Sequence, residues 1–364
     1  MKVGVFSPVI NWCGGAEWVA INIITALKEA GHYVIILTDS PLNQEKFLRV
    51  FNRRVLADEQ IIFPLRFFSP ANYHNIYTDG IRSLILKSKC DILVDTFSNS
   101  MLPGADVTYI HHPLLRKIKQ ELPYWRNKIF FLPHQSYLNC RRLEIDKNLV
   151  LANSQFTADA IKSEIGINSR VLYPSVSEEI LSKNNANFNV KRANTVITVG
   201  RIANGKNLEV IPKIAKMTRN DISFIIVGLL EDANLYYSLV KLTEELKVSN
   251  RVKILTDANR EELKRTLLNS KLYLHPKVNE HFGISIIEGM AAGCIPIVHN
   301  SGGPKEFVSA NQRFETLSEA ADIIERNIDI WSPSLANAIS NSTKRFGENN
   351  FSDRFIDLFD SHFN

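Results

Sequence analysis

The chain of 364 residues is 45% apolar and 22% charged, with 16 Gly and 14 Pro, a composition that excludes disordered, collagen-like and low-complexity classes. At roughly 100–200 residues per domain, this length holds two domains that each bury their own core. The net charge of +5 does not by itself mark a nucleic-acid-binding protein. No run of about 18 apolar residues is present to span a membrane.

The first apolar run, Val3 to Val9, follows Lys2 directly and leaves no room for the layout of a secretory signal peptide. It predicts a strand, followed by the glycine turn Cys13-Gly14-Gly15-Ala16-Glu17. A helix comes next, with Val19, Ile21, Ile24 and Leu27 at roughly helical spacing and Gly31 at its end, and then a strand at Tyr33 to Leu37. Strand, tight turn, helix, strand is the βαβ unit of a parallel sheet. Further strands are predicted at Ile92 to Val94, Val107 to Ile110 and Leu149 to Leu151.

Between the last two of these strands the positive charge is concentrated. Leu114 to Asn148 carries eight basic residues against three acidic ones, together with Tyr124, Trp125, Phe130, Phe131 and Tyr137. A surface of Lys and Arg mixed with large aromatics suits anionic lipid headgroups, so Arg116, Lys117, Lys119, Trp125, Arg126 and Lys128 are candidate membrane contacts. A solvated helix face with its aromatics turned inward fits the same pattern. Nucleic-acid binding is disfavoured, because no zinc-finger, basic-zipper or aromatic RNA-binding signature is present.

Ser175 to Asn194 is rich in Ser, Asn and Lys and reads as a connector. A second start follows at Thr195 to Val199, then Gly200-Arg201-Ile202-Ala203-Asn204-Gly205-Lys206-Asn207, a helix from about Leu208 to Met217, and a strand at Phe224 to Val227. The same order of elements is used twice. The expected fold is therefore α/β, with two doubly wound Rossmann-like domains facing across a cleft and ligands at the carboxyl ends of the strands. The boundaries are 1–174, a linker 175–194, 195–345, and a tail 346–364. Phe351, Phe355, Ile356, Leu358, Phe359 and Phe363 suggest that the tail docks as a helix on the first domain.

Leu274 to Val308 is the most informative segment. Glu280 and Glu288 flank Phe282-Gly283-Ile284-Ser285, and a helix starting near Gly283 would offer its first backbone N–H groups to an anion or a hydroxyl. Glu280 then lies on the loop before the helix and Glu288 at least one turn inside it. Two carboxylates there suit paired sugar hydroxyls better than bare phosphate. Arg201 and Lys206, on the loop after a strand, would meet charge on a departing phosphate. Gly14 and Gly15 would let backbone approach the same group.

These segments together resemble glycosyltransferase family 4, retaining enzymes of the GT-B fold. Gly14 to Glu17 is similar to its first glycine loop, Gly200-Arg201 with Lys206-Asn207 to its phosphate clamp, and Glu280 to Glu288 to its paired-glutamate motif. Asn279 to Ile284, Met290 to Gly293, His299 to Lys305, Tyr109 to Pro113, and Arg345-Phe346 with Phe351-Ser352-Asp353 resemble the α-1,2-mannosyltransferases that extend lipid-linked oligosaccharide with GDP-mannose. The resemblance implies that His111 contacts the transferred sugar. It assigns the ribose hydroxyls to Glu288, and the sugar hydroxyls to Glu280 with backbone N–H groups of Phe282, Gly283 and Ile284. The first domain would then take the acceptor and the second the nucleotide sugar. Eukaryotic members of that subgroup carry an N-terminal membrane anchor, for which this sequence offers no candidate.

Metal use is argued from spacing. No Asp-x-Asp pair and no His-x-x-x-His pattern occurs, and His275 with His281 lacks a third partner. The expected enzyme needs no metal or other cofactor, only its nucleotide-sugar donor. The four cysteines Cys13, Cys90, Cys140 and Cys294 form no Cys-x-x-Cys pair and read as reduced thiols. The expected location is cytoplasmic, peripheral on a membrane that holds the acceptor. A UDP-sugar transferase of the same family and a GT-B epimerase or phosphorylase are the alternatives.

Overall fold

The computed structural model describes residues 1–64, 75–113, 124–141, 147–177 and 191–363. They form two compact units, Met1–Ser175 with Glu348–Asn364, and Val176–Gly347.

The first unit is built on a parallel sheet of seven strands: β1 (Lys2–Phe6), β2 (Tyr33–Thr38), β3 (Glu59–Ile62), β4 (Ile92–Asp95), β5 (Val107–Ile110), β6 (Leu149–Ala152) and β7 (Arg170–Val171), in the order β3-β2-β1-β4-β5-β6-β7. Because a doubly wound sheet is covered on both faces, its central strands are apolar throughout rather than alternating. In β1, Val3 and Val5 enter one core with Val19 and Ile23 of the helix Gly15–Glu29, while Phe6 enters another with Leu86 and Leu93. The period of two along the strand separates the two cores.

The last helix, Glu348–Phe363, belongs to this unit although the chain reaches it only after building the other one. Phe351, Phe355 and Phe359 fall at helical spacing on one face, and all three are buried in the core that contains Val19 and Ile23. Phe355 and Phe359 lie 5.8 Å apart, and Phe359 meets His32 at 5.6 Å.

The second unit repeats the plan with six parallel strands: β8 (Ala193–Val199), β9 (Ser223–Gly228), β10 (Val252–Thr256), β11 (Ser270–His275), β12 (Ile295–His299) and β13 (Arg313–Phe314), in the order β10-β9-β8-β11-β12-β13. The strand order reverses between β8 and β11, as it does between β1 and β4 in the first unit. At such a switch point the loops leaving two neighbouring strands run to opposite faces and open a crevice. Among the described residues no helix is long and apolar enough to cross a membrane.

Candidate functional site

The crevice of the second unit is made by two loops. One follows β8 and carries Gly200 to Asn207; the other follows β11 and carries Pro276 to Gly283. β11 pairs with β8 so that Tyr273 faces Ile197, which brings the ends of the two strands, and hence the two loops, side by side. Asn207 Nδ2 reaches the Pro276 carbonyl at 3.5 Å.

Backbone packing fixes both loops. Gly200 N–H donates to the Val227 carbonyl at 3.0 Å and Ile202 N–H to that of Leu229 at 2.8 Å. The contact is so close that a Cβ on Gly228 would lie 1.7 Å from the Gly200 oxygen. The Glu280 loop is backed in the same way by Gly302, whose φ of +76° and missing side chain admit the Glu280 backbone; a Cβ there would stand 2.2 Å from the Glu280 oxygen. Gly303 N–H then donates to that oxygen at 2.8 Å.

The two loops bring Lys206 and Glu280 together, with Nζ 3.7 Å from Oε2. Glu280 also takes His275 Nε2 on Oε2 at 3.1 Å, and on Oε1 it takes Lys277 Nζ at 3.2 Å and the His281 N–H at 3.0 Å. Burial alone would raise this carboxyl, but the hydrogen bond and charge of His275 and the charges of Lys206 and Lys277 outweigh it and hold Glu280 well below the usual range. Burial lowers the Lys206 ammonium; Glu280 opposes this, while Lys277 and Arg201 add to it.

Arg201 is placed differently. Its guanidinium forms a fork with Glu231, at 2.9 and 3.1 Å, and its side chain is 52% exposed. It is therefore an already neutralised cation at the rim, whereas Lys206 lies deeper. Glu288 sits in the helix Ile284–Ala291, more than a turn past its N-cap Gly283. Burial raises its carboxyl, with Arg260 partly opposing. The same helix presses on β11 through Gly289, where a Cβ would meet the Tyr273 ring at 2.4 Å. Tyr273 donates to the Val199 carbonyl at 3.1 Å, and its hydroxyl lies 2.7 Å from Ser285 Oγ. The Phe282 ring is buried against Phe307 and Phe346, so only the backbone of this residue can face a ligand. Gly283 and Ile284 stand at the start of the helix.

In the first unit, Gly14 caps the helix Gly15–Glu29, and its N–H already donates to Glu17 Oε2 at 2.7 Å. His111 follows β5 directly. Its Nε2 lies 3.1 Å from the Thr96 carbonyl, and Asn99 Oδ1 accepts from the N–H of His111 at 2.7 Å and of His112 at 3.1 Å. Asn99 takes the left-handed conformation, with φ of +55°. Its loop is anchored by Asp95, a fully buried carboxyl pushed up to about 7 by burial, with hydrogen bonds from Ser98 and Phe97 and the charge of Asp79 as smaller influences.

Of the candidate membrane contacts, Arg116, Lys117 and Lys119 lie outside the described residues. Trp125, Arg126 and Lys128 fall in the helix Tyr124–Arg141, where Trp125 is 59% exposed.

Two family models tile the chain. "Glycosyltransferase Family 4" matches residues 13–179 and "Glycosyl transferases group 1" matches residues 180–350. The chain belongs to glycosyltransferase family 4. Among its relatives, the "GDP-Man:Man(3)GlcNAc(2)-PP-Dol alpha-1,2-mannosyltransferase" of Homo sapiens is 25% identical over 84% of this chain and 73% of its own length. The protein of the same description from Dictyostelium discoideum is 26% identical over 57% of this chain. The chain spans 46% of the Dictyostelium relative. A glycosyltransferase from Rickettsia africae shares the fold, with a TM-score of 0.74 and 17% identity over 100% of this chain and 98% of that one. The fold of this family 4 member is thus GT-B.

Sequence reasoning singled out Lys206, Glu280 and Glu288 but not Lys277 or the full role of His275. Their signal is the period of two after β11. Tyr273 and His275 share a face, with rings 6.4 Å apart, and Lys277 continues that alternation toward Glu280.

Proposed function

We propose that this family 4 glycosyltransferase transfers mannose from GDP-mannose to a lipid-linked or otherwise membrane-held glycan, with retention of anomeric configuration and without a metal ion. The observation that carries this reading is the pairing of Lys206 with Glu280 at the β8/β11 switch point. In this reading the ammonium meets the diphosphate and the ionised carboxylate meets the sugar hydroxyls of one donor molecule. The similarity to GDP-mannose-dependent α-1,2-mannosyltransferases supports the choice of donor and acceptor class.

In this reading Lys206, aided by Arg201, stabilises the charge that builds on the departing diphosphate, and such preorganised groups act most strongly where water is excluded. Glu280 accepts hydroxyls of the sugar, with the N–H groups of Phe282, Gly283 and Ile284 beside it. Glu288 accepts the ribose hydroxyls. Gly14 and Gly15 allow backbone close to the diphosphate. His111, held by Thr96 and Asn99, hydrogen-bonds the transferred sugar. The departing phosphate takes the acceptor proton on the same face from which it leaves, so no side chain is needed as nucleophile. Contact with anionic lipid through the stretch Leu114 to Asn148 would bring the enzyme to its acceptor on the cytoplasmic face.

Incubation with labelled GDP-mannose, UDP-glucose and UDP-N-acetylglucosamine, each with a lipid-linked oligosaccharide acceptor in EDTA, tests the reading. Transfer from GDP-mannose alone supports it. Transfer only from a UDP-sugar, or only with added Mn²⁺ or Mg²⁺, counts against it.

A further inference from the structure

Glu280 accepts three hydrogen bonds, from His275, Lys277 and the His281 N–H, and Lys206 Nζ stands 3.7 Å from Oε2, so about one of the carboxylate's four acceptor sites is left. To accept a pair of sugar hydroxyls it must release at least one of these three donors. The His281 N–H is fixed backbone, and His275 is a buried residue on β11, with its side chain 6% exposed. Lys277 is the movable donor, and Lys206 the movable cation beside it. Each carries its ammonium on a four-carbon stem, and each side chain is 25% exposed.

Charge points the same way. Arg201 is neutralised by Glu231, and Lys206 faces Glu280. Lys277 is the remaining ammonium in the cluster, and it supplies the excess positive charge that a nucleoside diphosphate, gaining negative charge as the sugar leaves, calls for. We propose that Lys277 is a further diphosphate-binding cation beside Lys206 and Arg201, whose ammonium, seen here on Glu280 Oε1, turns with that of Lys206 onto the donor's diphosphate and yields the Glu280 oxygens to the sugar. This inference rests on the proposed donor site and adds a residue to it.

The test is a calorimetric titration of the full chain and its K277M, K277Q and K277R variants with GDP, UDP, inorganic pyrophosphate and guanosine. Loss of one charge-assisted contact should weaken GDP and pyrophosphate roughly tenfold or more in K277M and K277Q. Guanosine affinity should be unchanged in these variants, and K277R should recover most of the loss. Unchanged or tighter GDP binding in K277M and K277Q overturns the inference while leaving the donor site standing. Equal losses for GDP and guanosine also overturn it, because they show damage to the crevice as a whole. A wild-type chain that binds none of GDP, UDP and pyrophosphate removes the donor site itself.

Discussion

Lys206 Nζ stands 3.7 Å from Glu280 Oε2, joining loops from two strands that are neighbours in the sheet but distant in the chain. Each group sets the other's charge: Glu280 counters the burial that lowers the ammonium, and Lys206 helps His275 keep the carboxyl ionised. Removing the ammonium leaves Glu280 with His275, Lys277 and its own neighbouring N–H, so the fold should survive. Lys206→Met is expected to lower kcat/KM for transfer by roughly 10²–10³, with only a small change in melting temperature. Steady-state kinetics beside a thermal melt check both halves of this prediction.

Acid sensitivity provides a second check. The folded Glu280 titrates below its unfolded value of about 4.3, so the unfolded chain binds more protons. The stability it contributes is present above that value and is lost as pH falls through the folded one. Glu280→Gln should therefore be less stable than the wild type near pH 7, and the gap should close on acidification below about pH 4. Urea melts across pH 3 to 7 measure this directly; a gap independent of pH would mean that the carboxylate's charge is not what stabilises the loop.

Asp95 has the opposite sign. Its folded value of about 7 exceeds the unfolded value of about 3.9, so the folded chain holds the extra proton and stability falls as pH rises between the two. Asp95→Asn, which has no such proton to lose, should gain on the wild type from pH 4 to pH 7, by an amount on the order of a few kcal/mol. The same urea series reads this difference.

Asn99 separates conformation from hydrogen bonding at His111. Asn99→Gly keeps access to the left-handed backbone but loses the acceptor for the His111 and His112 N–H groups, whereas Asn99→Ala loses both. Transfer should fall about tenfold or more in the glycine variant and further in the alanine variant. Affinity for GDP, which the proposed donor site places on the second unit, should stay unchanged in each. Paired activity and binding measurements would expose a purely structural role as an equal loss in both.

Gly302 tests the backing of the Glu280 loop. A methyl there must displace the Glu280 backbone and also hold a side chain at positive φ with extended ψ, a conformation essentially confined to glycine, at about 1–3 kcal/mol. Gly302→Ala should lower donor affinity at least tenfold while the thermal melt shows a smaller, cooperative shift.

The GT-B fold was legible because both sheets are written in local signals: apolar runs at β1 and β8, each followed by a glycine-containing turn and a helix, show the repeat. Glu280 and Glu288 were legible through the small and apolar residues between them. The partners of those residues were not. Nothing near Arg201 announces that Glu231 will neutralise it, since that pair depends on β9 lying beside β8. The approach of Lys206 to the carboxylate that His275 and Lys277 already flank in sequence likewise depends on strand order. Gly228 does not look special in the sequence and Gly302 stands out only as part of the run His299 to Lys305, because what makes each necessary is the backbone pressed against it. Sequence periodicity records which face of an element is buried; it does not record which loops the topology sets side by side.

The most direct test of the account is a crystal structure of the chain with GDP-mannose, or with GDP and a non-transferable mannose analogue. The diphosphate is expected within hydrogen-bonding distance of Lys206, the ribose diol on Glu288 and sugar hydroxyls on Glu280. A nucleotide bound with its diphosphate away from Lys206, or a sugar that makes no contact with Glu280, would contradict it.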